Sequence, residues 1–227
     1  MKILLTGGSG LLGQELLKCD PKILAPNRDE MDILNSLQCE QVIDKYNPDT
    51  ILYASAFTSP PKCDSEPEKA RNNNITGTVN LVNICQKRNK RLIYISTDYA
   101  FDGEKGMYNT DDLVNPINIY AISKVAGEFA VKTYLNSLII RTSFGPVDFP
   151  YEKAFTDQYT SKDYVDIIAP KILQFSRSSK TGIAHVGTER KTVYDLAKQR
   201  KPNVGNLSIK DVAFNAPQDT SLTLTTI

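Results

Sequence analysis

The sequence predicts an α/β protein, a doubly wound parallel sheet with a small C-terminal lobe. Three observations carry that expectation. Through residue 145, short apolar runs alternate with stretches whose apolar residues recur at helical spacing. The runs are apolar at nearly every position, the pattern of strands covered on both faces. The first of them ends in a glycine-rich turn that opens a helix.

The elements follow in order. Lys2 to Thr6 is a strand stopped by glycines, and Leu11-Leu12 with Leu16-Leu17 mark the helix after it. Lys22 to Ala25 is a second strand, ended by Pro26. Leu34 to Tyr46 is a helix that Asn47-Pro48 terminates, because the residue before a proline resists the helical region. Thr50 to Ser55 is a third strand. Pro67 to Arg88 is one long helix with its proline in the first turn, where the missing N–H has no partner to lose. Arg91 to Ser96 is a fourth strand, Ile119 to Tyr134 a helix, and Ser137 to Arg141 a fifth strand. After Pro146 the periodicity fades amid Pro150, Pro170, Pro202 and Pro217. There Asp163 to Phe175 and Thr192 to Gln199 read as helices, Gly182 to Gly187 as a short strand, and Thr220 to Ile227 as a surface tail. The expected division is residues 1–145 for the sheet and 146–227 for a small lobe that partly returns to it.

The 227 residues fit one or two domains of roughly 150 residues and can bury a core without disulfides or metals. Lys and Arg number 27 against 26 Asp and Glu, so a net charge of +1 gives nucleic acid or an anionic membrane little to recognise. No apolar run reaches the ~18 residues of a membrane span, and the first residues lack the apolar stretch and cleavage site of a secretory signal. The expected location is the cytoplasm. One histidine, His185, excludes a multi-histidine metal site and is expected to sit in a short strand without a catalytic role. Cys19, Cys39, Cys63 and Cys85 form no CxxC pair and are expected to be reduced, partly buried thiols. Lys87, Arg88, Lys90 and Arg91 read as the charged end of a helix.

Gly7, Gly10 and Gly13 form a G-x-x-G-x-x-G turn between the first strand and its helix. Gly7 permits the tight turn, Gly10 lets backbone approach a pyrophosphate, and Gly13 lets the helix pack closely; the helix N-terminus offers N–H groups to the phosphates. Placed after the first strand of a repeated strand-helix pattern, the turn predicts a Rossmann-type dinucleotide-binding sheet rather than a purely structural connection. The second strand ends Ala25-Pro26-Asn27-Arg28, with no acid at its tip. Arg28 suits the 2′-phosphate of NADP(H), the favoured cofactor; Asp29, Glu30 and Asp32 are near enough to keep NAD(H) open. Ile33 is grouped with Arg28 and Asp32 as a cofactor candidate.

Tyr120 and Lys124 stand four apart on a helix and so share a face. A nearby ammonium is expected to lower the phenol pKa, fitting Tyr120 to give a proton to a carbonyl oxygen as hydride arrives. Lys124 also suits the nicotinamide ribose. Thr97 ends the fourth strand, where strand carboxyl ends face the ligand crevice, and its hydroxyl can hydrogen-bond a substrate carbonyl. Ser96 is the runner-up for that role.

These motifs, in this order, resemble the extended short-chain dehydrogenase/reductases, and among them most closely the dTDP-4-dehydrorhamnose reductase family. The resemblance rests on the glycine turn, Ser96 to Gly103 (Ser-Thr-Asp-Tyr-Ala-Phe-Asp-Gly), Asn115 to Tyr120, the Tyr-Lys pair and Gly127-Glu128. Ala54 to Thr58, Asp64 to Glu68, Asn74 to Leu81, Ile140 to Ser143 and Pro217 to Leu222 extend it along nearly the whole chain. It implies catalytic roles for Thr97, Tyr120 and Lys124. It implies a pyrophosphate site at Gly7, Ser9, Gly10, Leu11 and Leu12, with Ala54, Ala56, Phe57 and Asn74 along the nicotinamide side. It places Thr58, Tyr99, Arg141 and Phe144 in the substrate pocket with Thr97 and Tyr120. The implied reaction is NAD(P)H-dependent reduction of the 4-keto group of a nucleotide-linked 4-keto-6-deoxy sugar, in deoxysugar and surface polysaccharide biosynthesis. The implied assembly is a homodimer. Three features depart from the pattern: Pro60-Pro61 replaces a usual Val-Asp pair, Phe144 a usual Trp, and the C-terminal lobe is shorter. They leave open an epimerase or dehydratase on the same scaffold, and a cofactor-binding regulatory subunit without catalysis.

Overall fold

In the computed structural model, residues 1–212 and 217–227 are described. The elements are β1 (Ile3–Thr6), α1 (Leu11–Cys19), α2 (Ser36–Tyr46), β2 (Thr50–Tyr53), α3 (Pro60–Ser65), α4 (Pro67–Arg71) and α5 (Gly77–Arg88). Then come β3 (Arg91–Thr97), α6 (Ile119–Lys132), β4 (Ser137–Thr142), β5 (Phe144–Gly145), β6 (Lys153–Phe155), β7 (Tyr159–Thr160) and β8 (Asp163–Tyr164). The chain continues through α7 (Val165–Arg177), β9 (Gly182–Val186), β10 (Lys191–Thr192), α8 (Val193–Lys198) and β11 (Gly205–Leu207).

Five parallel strands form the central sheet in the order β1-β2-β3-β4-β9. Side chains alternate between its faces. Ile3 and Leu5 pack on one side with Leu12 and Leu16 of α1 and Ile168, Ile172 and Phe175 of α7. Leu4, Ile51 and Tyr53 pack on the other with Ile43 of α2, Leu81 and Ile84 of α5 and Val131 of α6. Both faces are therefore covered by helices, as continuous apolar strands require. Among the described residues no helix is long and apolar enough to cross a membrane.

Three expectations change. The second strand reduces to a single bridge, Leu24 against Leu4, because Pro26 offers no N–H to extend it; Leu24 still lies at the β1 edge through hydrogen bonds with Ile3 and Leu5. The long helix from Pro67 is interrupted by a π-turn over Asn72–Thr76, which turns Asn74 inward. Pro60-Pro61 starts a helix, α3, since prolines fit the first helical turn. The expected surface tail is buried in its first part, a strap in which Thr220, Ser221 and Leu222 are at most 4% exposed, while Thr223, Leu224, Thr226 and Ile227 are exposed. Tyr108 N–H donates to Ser221 O, Thr223 N–H donates to Tyr108 O, and Leu222 bridges Tyr108. The threonine and serine hydroxyls find partners inside, so their polarity does not hold the segment in water.

In the C-terminal part, Gly182–Val186 joins the main sheet beside β4, and α7 begins at Val165, two residues later than expected. The short pairs β5-β8, β6-β11 and β7-β10 had no periodic signature to announce them. His185 lies in β9, fully buried, its Nδ1 donating to Tyr108 O. All four cysteines are free. Lys87 and Arg88 do not simply face water but pair with Glu40 and Asp44 of α2.

Candidate active site

From β1 the chain visits the Leu24 edge and then returns to β2 on the other side of β1. Such a reversal opens a crevice at the carboxyl ends of the strands. A cavity of about 840 Å³ occupies it.

One end of the cavity is backbone. Gly7, Ser9, Gly10, Leu11, Leu12 and Gly13 line it. Gly7 has a φ of +78°, which a side chain would strain. A Cβ on Gly13 would stand 2.2 Å from the Gly7 carbonyl oxygen, so only glycine lets α1 start this close to the turn. Gly10 caps α1 with no side-chain hydrogen bond, leaving first-turn N–H groups and the positive helix end toward the cavity. These are the features an anionic pyrophosphate needs, and the residues fit a dinucleotide. Arg28, Asp32 and Ile33 line the adjoining rim, with Arg28 Nε 3.7 Å from Asp32 Oδ2. Ala54, Ala56 and Thr58 line the stretch beyond β2.

The other end is side chains. The strand β3 delivers Thr97 and α6 delivers Tyr120 and Lys124; all three line the cavity, as do Tyr99 and Phe144. Asn118 caps α6 by accepting from Ala121 N–H, which fixes where Tyr120 begins the helix. The Thr97 hydroxyl stands beside the Tyr120 phenol and favours its ionised form. Burial nevertheless pushes the Tyr120 phenol up to about 12. Lys124 is 2% exposed, and burial pushes it down to about 7 against the pull of Glu128. Its Nζ lies 4.0 Å over the Tyr94 ring. The expected lowering of the tyrosine by the lysine is thus overturned. Both groups have lost water, and desolvation favours the neutral form of each.

Four expected residues are engaged elsewhere. Arg141 is buried in an ion pair, Nη2 2.7 Å from Glu128 Oε2 and Nε 3.0 Å from Oε1, and does not reach the cavity wall. Asn74 accepts from Phe57 N–H at 2.8 Å and donates to Phe57 O at 3.0 Å and Ser123 Oγ at 2.8 Å. Asn74 and Phe57 therefore brace the loop behind Ala54 to Thr58 rather than line the cavity. Ser96 Oγ donates to Glu128 Oε1 at 2.5 Å, which removes it as Thr97's rival.

Sequence reasoning missed Asp98, which lines the cavity beside Thr97 and is 2% exposed. Burial pushes its carboxyl up to about 6, against hydrogen bonds from Thr220 and Thr97 and the nearby Ser143 hydroxyl and Lys162 ammonium. Its signal was present, since Asp98 lies inside the motif already quoted; Lys162 and Thr220 reach it from distant segments with no local pattern.

Fold and site place the chain in the class of Rossmann-type dinucleotide-binding proteins carrying a Thr-Tyr-Lys set. Residues 1–173 match the family described as the RmlD substrate binding domain. The chain belongs to that family, a branch of the extended short-chain dehydrogenase/reductases. A dTDP-4-dehydrorhamnose reductase of Aggregatibacter actinomycetemcomitans is 32% identical over 180 residues, covering 75% of this chain and 61% of the relative. The methionine adenosyltransferase 2 subunit beta of Bos taurus is 30% identical over 169 residues, covering 68% and 51%. The chain thus spans between one half and two thirds of the length of these relatives. The crystal structure of dTDP-4-dehydrorhamnose reductase from Bacillus anthracis in complex with NADP superimposes with a TM-score of 0.89 at 28% identity, covering 99% of this chain and 92% of that one.

Proposed function

We propose that this chain is an NAD(P)H-dependent reductase of the 4-keto group of a nucleotide-linked 4-keto-6-deoxy sugar, with NADP(H) favoured. The observation that carries the reading is the convergence of Thr97, Tyr120 and Lys124 on one cavity that also holds the glycine turn. The reductase and NADP named among the similar proteins support it.

When bound, the reduced nicotinamide supplies the hydride. The turn from Gly7 to Gly13 holds the pyrophosphate, Arg28 and Asp32 address the adenosine ribose, and Ala54 and Ala56 flank the nicotinamide side. Tyr120 keeps its proton at neutral pH, because a phenol pushed up to about 12 stays protonated, and gives it to the carbonyl oxygen as that oxygen gains charge. Thr97 orients the phenol. Lys124 holds the nicotinamide ribose, and at about 7 it exchanges its own proton near neutrality. Thr58, Tyr99 and Phe144 shape the sugar side, the Phe144 ring standing where the family carries a larger one. Residues 1–145 carry the cofactor and the redox groups, and residues 146–227 complete the substrate side. We further infer a homodimer, because Ile122 and Phe129 lie seven apart on α6 and are more than half exposed. A cytoplasmic location agrees with four free thiols.

The test is purified chain with NADPH and a panel of dTDP-, UDP- and GDP-linked 4-keto sugars, followed by loss of the reduced cofactor's absorbance. Turnover of one of them is expected; no turnover with any overturns the reading. A second reading, a cofactor-binding regulatory subunit, draws on the similarity to methionine adenosyltransferase 2 subunit beta. NADPH binding without any response to sugar nucleotides favours it.

A further inference from the structure

The Thr97 hydroxyl is surrounded by more partners than it can serve in one orientation. A hydroxyl has one proton and two lone pairs. Tyr99 N–H donates into one lone pair at 3.2 Å. The remaining proton and lone pair are left for Asp98 Oδ1, 3.3 Å away, and for the neighbouring Tyr120 phenol. The carboxyl of Asp98 is pinned from the far side by the strap, where Thr220 Oγ1 donates to Oδ2 at 2.9 Å. We infer that Asp98 is a positioning residue whose proton decides which way the Thr97 and Tyr120 hydroxyls point, and that Thr220 fixes that proton on the oxygen facing Thr97.

The argument is a count of donors. An ionised Asp98 can only accept, so it takes the Thr97 proton. Thr97 must then accept from Tyr120, whose single proton is turned away from the substrate. A protonated Asp98 donates to Thr97, Thr97 donates to the Tyr120 oxygen, and the Tyr120 proton is free to point at a carbonyl. All donors then run in one direction, from Asp98 through Thr97 and Tyr120 to the substrate. Thr220 matters because a donor to Oδ2 keeps that atom as the carbonyl oxygen and leaves the proton to Oδ1. The groups facing this carboxyl are Thr97, Ser143, Thr220, Tyr99, Tyr120 and the Lys162 ammonium. Burial outweighs them and leaves the carboxyl titrating near 6, where both arrangements are reached around neutrality.

This inference rests on the reductase reading, so its test has an arm that needs no turnover. Infrared difference spectra of the chain against Asp98→Asn should show a protonated carboxyl band that disappears as pH rises through about 6. Thr220→Val removes a donor that favours the charged form, so the midpoint should move up by about one pH unit, and Thr220→Ser should restore it. Should Thr220→Val fail to fold, Thr220→Ala carries the same test. An Asp98 ionised throughout, or a midpoint indifferent to Thr220, overturns the inference. In the kinetic arm, kcat/KM for sugar reduction should fall above the same midpoint. The fall should move up with Thr220→Val and vanish in Asp98→Asn, whose amide can donate to Thr97 at every pH. A wild-type profile that Asp98→Asn leaves unchanged overturns the inference alone. No turnover alongside an intact carboxyl titration overturns the reductase reading alone.

Discussion

The nucleotide end of the cavity is made of backbone, and the opposite end of buried polar side chains. At the first, Gly7 to Gly13 shape the surface because they lack side chains, and every residue involved lies within one turn and one helix start. At the second, Thr97, Asp98, Tyr120, Lys124 and Thr220 come from three segments, and the first three with Thr220 bear on each other's protons. The difference shows two ways of placing charge. The backbone end offers fixed dipoles to an anion that arrives already charged. The side-chain end is kept dry, so that burial shifts its phenol, carboxyl and amine toward their neutral forms.

Substitutions that touch one end only can break this comparison. The largest effect is expected from Tyr120→Phe, which should lower kcat for sugar reduction by about 10²–10⁴-fold while NADPH still binds, as a fluorescence titration would read. Equal loss of both would mean that the ends are not separable. Glu128→Ala should come next, since it strands the Arg141 guanidinium in the core; urea unfolding should show a loss of about 3–5 kcal/mol. Gly13→Val should act at the backbone end, abolishing NADPH binding and lowering stability by about 1–3 kcal/mol through overpacking against Gly7 and Gly8.

The pH dependence tests the dryness of the side-chain end. The Lys124 amine is near 7 in the folded chain and 10.5 as its ordinary value, so between those values the unfolded chain binds more protons. Stability from this group is therefore present above the higher value and lost as pH falls through the lower one. Lys124→Met should be less sensitive in that window, gaining on the wild type as pH falls; parallel urea midpoints across it would show Lys124 to be solvated. The smallest effect is expected at the rim. Arg28→Ala should reduce the preference for NADPH over NADH by about two- to fivefold, the scale of an exposed charge, in paired steady-state assays.

The same contrast explains what could be read from the sequence. The glycine turn, the Tyr-Lys spacing and the strands β1 to β4 are local patterns, and the structure has them where expected. Lys22 to Ala25 had strand composition but too little length before Pro26 to pair beyond Leu24. Arg141 carries a motif position yet turns into the core, because the partner that claims it, Glu128, lies on α6 rather than beside it in sequence. Thr220 looked exposed because threonine is polar. Its burial depends on Asp98, and no local pattern records that pairing.

The separation of Thr220 from Asp98 is 122 residues, which bears on how the protein matures. At ribosomal rates of about 5–20 residues per second, the nucleotide pocket is synthesised on the order of ten seconds before the strap that reaches Asp98. Every residue that lines the cavity is thus made before the strap that reaches Asp98. The groups that set the Thr97 and Tyr120 protons are therefore completed later than the pocket they serve.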